Sequence, residues 1–100
     1  MHSYNIEYLP VAVDDLNAII DYILIDDPLN AVALYEKIDE SIKRLSHFPE
    51  LGVIPKDIYI ARMNYLILII DTYLVFYVFD SEIVEIRRIL SSKRKYDYLF

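Results

Sequence analysis

The run Tyr65–Val78, YLILIIDTYLVFYV, limits the fold more than any other part of the chain. Only Asp71 and Thr72 interrupt its apolar side chains. A membrane-spanning helix needs about 20 unbroken apolar residues, and a run this short with a polar pair at its centre falls well below that. Its Ile, Val, Tyr and Phe content favours strands, and Asp-Thr has the chemistry of a turn. The stretch reads as strand, turn, strand. These strands do not alternate: Leu66, Leu68 and Ile70 oppose the equally apolar Tyr65, Ile67 and Ile69. Both faces of the sheet centre therefore need cover.

The remaining elements follow from period and punctuation. Ser3–Leu9 sets Tyr4, Ile6 and Tyr8 against Asn5 and Glu7, the pattern of a half-buried strand. Pro10 suits the first turn of a helix, and Val13, Leu16, Ile20 and Ile23 then recur at helical spacing as far as about Ile25. Asp27-Pro28 has the form of an N-cap followed by a first-turn proline. It starts a second helix with the stripe Ala31, Leu34, Ile38, Ile42 and Leu45, closed by Phe48-Pro49. So short a joint predicts an antiparallel helix hairpin. Pro49, Gly52 and Pro55 make Glu50–Asp57 a loop. Three strands are expected next, over Ala61–Ile70, Tyr73–Phe79 and Ile83–Leu90. The layout is α+β, β-α-α-β-β-β, with the N-terminal strand and helix hairpin packed on an antiparallel sheet. Since the hairpin hides one face only, the other needs the C-terminal tail, a second copy or another protein.

One hundred residues suffice for one core and are too few for two, so residues 1–100 are read as a single domain. With no cysteine there are neither disulfides nor thiolate metal sites, and one glycine leaves little material for a phosphate-cradling loop. The start MHSYNIEYLP lacks the basic and apolar regions of a signal peptide, so a cytoplasmic location without membrane contact is expected. The net charge of −6 is uneven: residues 1–50 hold ten acids and three bases, residues 51–100 six acids and seven bases. A general nucleic-acid binder is usually basic throughout; here only one end is suited to phosphate.

That end, SSKRKYDYLF, sets Lys93, Arg94 and Lys95 beside Tyr96 and Tyr98, types that grip phosphate and stack on bases. Lys56 and Arg62 can extend it into a basic rim. Arg87-Arg88 sends one guanidinium to each sheet face, where an acid such as Glu85 can pair with it. His2 and His47 lack ligand-like spacing, so no metal site is expected. Asp14-Asp15 is placed on a solvent-facing helix surface and Asp26-Asp27 at a helix cap. Ser91 and Ser92 have no histidine nearby in sequence to activate them.

Taken together, several short stretches resemble a known family. Tyr4–Ala12 carries Y-x-I-x-Y-L-P-x-A, Asp15–Ile19 carries D-L-x-x-I, and Phe48–Gly52 reads F-P-E-L-G. Tyr73–Tyr77 reads Y-L-V-F-Y and Arg87–Tyr96 reads R-R-I-L-S-S-K-R-K-Y. In this order they resemble the RelE/ParE family of type II toxins, also described as plasmid-stabilisation proteins. The resemblance implies a growth inhibitor with two N-terminal helices on an antiparallel sheet. It also implies a cognate antitoxin that lies across the toxin, covering apolar area and masking basic residues.

The family divides by target. RelE-like members cut ribosome-bound mRNA without a metal or other cofactor, using strand Arg and Lys residues and a C-terminal Arg, Tyr or His. By that resemblance Arg62, Arg94 and Tyr96 are the catalytic candidates. Lys56, Arg87, Lys93, Lys95 and Tyr98 are candidates for holding phosphate or target, and Ser91 falls where relatives often carry His. The central strands here carry no Arg or Lys from Asn64 to Tyr77. ParE-like members bind DNA gyrase and need no such cluster, so that branch fits better. An inactive toxin-fold homodimer is the third expectation.

Overall fold

The computed structural model describes residues 2–100. Strand β1 (Asn5–Tyr8) leads into helix α1 (Pro10–Leu24), helix α2 (Pro28–Lys43) and a 3-10 turn, Arg44–Ser46. A short helix α3 (Ile58–Arg62) precedes strands β2 (Leu66–Ile70), β3 (Tyr73–Phe79) and β4 (Ile83–Ser91), and a second 3-10 turn covers Asp97–Leu99. The four strands form one sheet in the order β1-β4-β3-β2. The meander β2-β3-β4 is antiparallel, whereas β1 joins β4 in parallel, Asn5 facing Ile83 and Tyr8 facing Ile86.

The helix starts follow the expected chemistry. Pro10 and Pro28 occupy first-turn positions, where a missing N–H costs nothing, and the Asp27 side chain accepts the Asn30 N–H at 3.2 Å. The β2–β3 connection is Asp71-Thr72, with Asp71 at φ 52°, a left-handed conformation that aspartate tolerates in turns. Lys37 of α2 clamps that turn through a 2.6 Å ion pair to Asp71.

Between them the helices and the sheet enclose the main core. Ala12, Leu16, Leu34, Ile38, Ile42 and Leu45 meet Leu68, Ile70, Val75, Tyr77, Val84 and Ile86. Both sides of β2 and β3 are indeed apolar, and the second side forms its own core of Ile60, Tyr65, Ile67, Leu74, Phe76 and Leu90. Tyr96, Leu99 and Phe100 of the C-terminal tail close it. The Phe100 ring lies 4.8 Å from Phe76 and 5.0 Å from Tyr65, and Tyr96 lies 5.1 Å from Phe76. Of the three covers expected for this face, the chain's own tail supplies one. The apolar excess therefore does not require an antitoxin, or a second copy, over that side.

Other expectations are corrected. The strand expected from Ala61 begins only at Leu66, because Asp57 caps a helix at Ile58 by accepting the Tyr59 and Ile60 N–H groups at 2.9 and 3.2 Å. Helix α3 ends at Arg62, and Asn64 at φ 65° turns the chain into β2. Arg62 thus sits on a helix end, not at a strand start. Within the loop Glu50–Asp57, Val53 exchanges two backbone hydrogen bonds with Ile67, at 2.8 and 2.9 Å, so part of the β2 edge is paired.

Candidate functional site: the end of β4 and the basic tail

The candidate residues cluster around the C-terminal half of β4, where the ladder is irregular. Tyr77 faces Ile86 but Phe76 faces Arg88, so Arg87 is an extra residue in a β-bulge. The bulge separates two guanidinium groups. Arg87 stays on the tail side of the sheet, donating through Nε to Glu85 at 2.6 Å and through Nη1 to the Tyr65 hydroxyl at 3.4 Å. Its guanidinium carbon lies 5.6 Å from the Tyr65 ring centroid, over the ring. The hydrogen bond to Tyr65, with the contacts to Glu85, raises its pKa further, so it stays charged throughout.

Arg88 meets helix α1 instead. Strand β1 ends opposite Ile86, which leaves the next part of the β4 edge without a neighbouring strand. Asp15 fills that gap. Its carboxylate accepts Arg88 Nε at 2.8 Å, Arg88 Nη2 at 2.9 Å and the backbone N–H of Ile89 at 3.0 Å. The two side chains are 11% and 17% exposed, the most enclosed ion pair among the described residues. The hydrogen bond to Asp15 raises the Arg88 pKa against the opposing effect of burial. Asp15 is therefore not a solvent-facing acid like its neighbour Asp14. It stands in for the missing strand and neutralises a largely enclosed cation.

Beyond Ser91 the chain turns. Ser92 donates its N–H to the Thr72 carbonyl at 2.8 Å, and the Lys93 N–H reaches Ser91 Oγ at 3.2 Å. Lys93, Arg94 and Lys95 are exposed on this turn. Arg94 borders a cleft of about 420 Å³ between α1 and the end of β4, lined also by Asp15, Tyr22, Tyr73 and Ser91. Its Nη2 donates weakly to the Tyr98 hydroxyl at 3.4 Å. Tyr98 is 68% exposed, while Tyr96 is half-buried with its ring on Phe76.

The fold links some candidates directly and leaves others without a direct contact. Lys93, Arg94, Lys95 and Tyr98 share the tail surface. Arg62 and Lys56 are exposed on and before α3, and among the described residues no hydrogen bond or ion pair joins either to Arg94 or Tyr96. Arg87 is engaged by Glu85 and Tyr65. Strands β2 and β3 carry no cation at all. No group of three or more potential metal ligands occurs among the described residues. Sequence reading missed Asp15 because its partner lies at the far end of the chain. The available signal was a single acid three residues after the buried Ala12, and so on the core-flanking side of α1.

The architecture is a two-helix hairpin on a four-stranded mixed sheet, an α+β fold. It superposes on a chain of a solved structure described as the chromosomal ParDE TA system from P. aeruginosa with a TM-score of 0.76, at 19% identity, over 91% of this chain and 98% of that one. At that identity the likeness is one of fold. A family model described as the ParE toxin of the type II toxin-antitoxin system, parDE, matches residues 6–96. This chain belongs to that family of type II toxins. Among curated proteins none matches significantly in sequence. No helix among the described residues is long and apolar enough to cross a membrane.

Proposed function

We propose that this protein is the toxin of a type II pair, held silent by a cognate antitoxin, and that it inhibits growth by binding DNA gyrase rather than by cutting RNA. The observation that carries this reading is the state of the cations. Cleavage of RNA by its own 2′-hydroxyl needs a proton acceptor, a proton donor and cations to hold the phosphate, all converging on one bond. Here both β4 arginines are engaged in ion pairs, β2 and β3 have none, and Tyr96 packs on a phenylalanine ring. The exposed cations that remain, Lys93, Arg94 and Lys95, form a surface suited to docking on a partner. Among the described residues no hydrogen bond or ion pair ties Arg62 or Lys56 to that surface.

The test is a supercoiling reaction with purified gyrase. Added protein is expected to stall or trap the enzyme, and the triple change Lys93→Ala, Arg94→Ala, Lys95→Ala to relieve that inhibition by tenfold or more, the order expected for several lost charge contacts. Unaffected supercoiling at excess protein overturns the gyrase reading. Cleaved transcripts in a translation extract, abolished by Arg94→Ala, would assign the nuclease reading to Arg62, Arg94 and Tyr96 instead. Antitoxin control is tested separately. Co-expression of the small neighbouring gene is expected to restore growth.

A further inference from the structure

A second cavity, of about 580 Å³, shares no lining residue with the cleft beside the tail and lies where the chain's start meets the segment after α2. Four ring-bearing residues, His2, Tyr4, His47 and Phe48, line it together with Pro49 and Leu51, and Glu50 is its single acidic lining residue. Spacing in sequence gave no reason to connect His2 with His47. The fold does so through the Tyr4 N–H, which donates to the Ser46 carbonyl at 2.7 Å and ties the entry to β1 against the end of the helical segment.

Both walls are held in place. On one side, His2 Nε2 donates to the Ser81 carbonyl at 2.7 Å, and the His2 and Tyr4 rings meet edge to face at 4.6 Å. Tyr4 in turn packs edge-on against Phe79 at 6.0 Å. On the other, the fully buried Tyr77 pins the loop: its hydroxyl donates to the Pro49 carbonyl at 2.7 Å and accepts the Gly52 N–H at 2.8 Å. A Cβ at position 52 would lie 2.7 Å from that hydroxyl, so only glycine permits the approach. The F-P-E-L-G stretch is thus a fixed turn that presents Phe48 and Glu50 at the cavity mouth. Phe48 is 64% exposed even though the loop around it is tightly bound.

The chemistry of this cavity selects a cation. Aromatic faces carry negative potential and attract guanidinium and ammonium groups, most strongly where a carboxylate stands at the rim. No Lys or Arg lines the cavity, and the half of the chain that builds it holds ten acids against three bases. The planar guanidinium, which stacks on rings and pairs with carboxylates, matches these walls better than a compact ammonium. We propose that this pocket receives the guanidinium of an arginine side chain presented by a protein partner. The site does not depend on the gyrase reading, and its test needs no toxicity.

The probe is N-acetyl-arginine methylamide, titrated into the intact protein while the ring resonances of His2, Tyr4, His47 and Phe48 are followed by NMR. The leucine analogue serves as the neutral control. Saturable shifts confined to those rings are expected with the arginine probe and not with the leucine probe. Glu50→Gln and Phe48→Ala should each weaken binding about threefold to fivefold, the scale of one cation–aromatic or charge contact at a partly exposed site. Both side chains are exposed, so the remaining spectrum should be unchanged. Absence of a saturable shift, equal binding of the leucine probe, or wild-type affinity in both variants would each overturn the proposal. None of these results bears on the supercoiling test, so the two readings fail separately.

Discussion

Replacing Asp15 with alanine tests the most concentrated set of interactions in the molecule. The substitution removes an acceptor used three times, by Arg88 Nε, Arg88 Nη2 and the Ile89 N–H. What remains is a cation only 17% exposed and an edge N–H without a partner. Breaking an enclosed ion pair from one side costs about 3–5 kcal/mol, because the surviving charge stays desolvated. The stranded N–H adds a penalty of about 1–3 kcal/mol where water cannot reach it, though the two losses overlap. A net loss of about 4 kcal/mol is the working figure. A domain of this size has about 5–15 kcal/mol in total, so the variant should lie close to unfolding. In urea, with a slope of about 1–2 kcal/mol per molar, the midpoint should fall by about 2–4 M. The double variant Asp15→Leu, Arg88→Met supplies the control. It removes both charges and is expected to recover at least half of the loss, whereas Asp15→Asn should fall between wild type and alanine. A single-variant loss below about 1 kcal/mol, or a double variant no better than the sum of its parts, would refute the view that Asp15 replaces a strand and neutralises Arg88.

Two further perturbations probe the tail and the first strand. Phe100→Ala uncovers Phe76 and Tyr65 and should cost about 1–2 kcal/mol in urea titration, with faster amide exchange in β3; an unchanged midpoint would mean that the tail does not seal that face. Burial, with Asp39 and Tyr35 adding to it, pushes the Tyr8 phenol up to about 12. Its folded pKa is above its unfolded value of 10.0, so its contribution is complete below pH 10 and is lost as pH rises toward 12. The expected loss is about 1 kcal/mol once solvent screening of a half-buried group is allowed for, and Tyr8→Phe should flatten that part of the pH–stability curve. A curve of the same steepness in the variant would count against it.

The parts of this fold legible in sequence are those set by neighbours along the chain. Pro10, Asp27-Pro28 and the apolar stripe of α2 mark the helix hairpin, and Asp71-Thr72 marks the β2–β3 turn, because capping, period and turn preference act over a few residues. Two-sided apolar strands signal two cores for the same reason. Helix α3 was hidden because Ile58, Tyr59 and Ile60 read equally well as the start of a strand; the Asp57 cap decides the matter, and caps are easily taken for loop residues. The parallel docking of β1, the Asp15–Arg88 pair and the tail over Phe76 all depend on residues brought together from opposite ends of the chain. Periodicity carries no information about such pairs. The same holds for the candidate site: the tail cations are visible as a charge run, but which arginines remain free is decided by Glu85, Tyr65 and Asp15.

The parallel pairing of β1 with β4 bears on how the cell handles this product. Asn5 cannot find Ile83 until the chain through β4 has left the ribosome, and contacts of such long sequence separation form late. Fragments that end before the last strand lack the edge that β1, Asp15 and the basic turn all require. A chain cut short before β4 would therefore lose the docking edge of β1 and the Asp15–Arg88 pair together, and should not hold a stable fold.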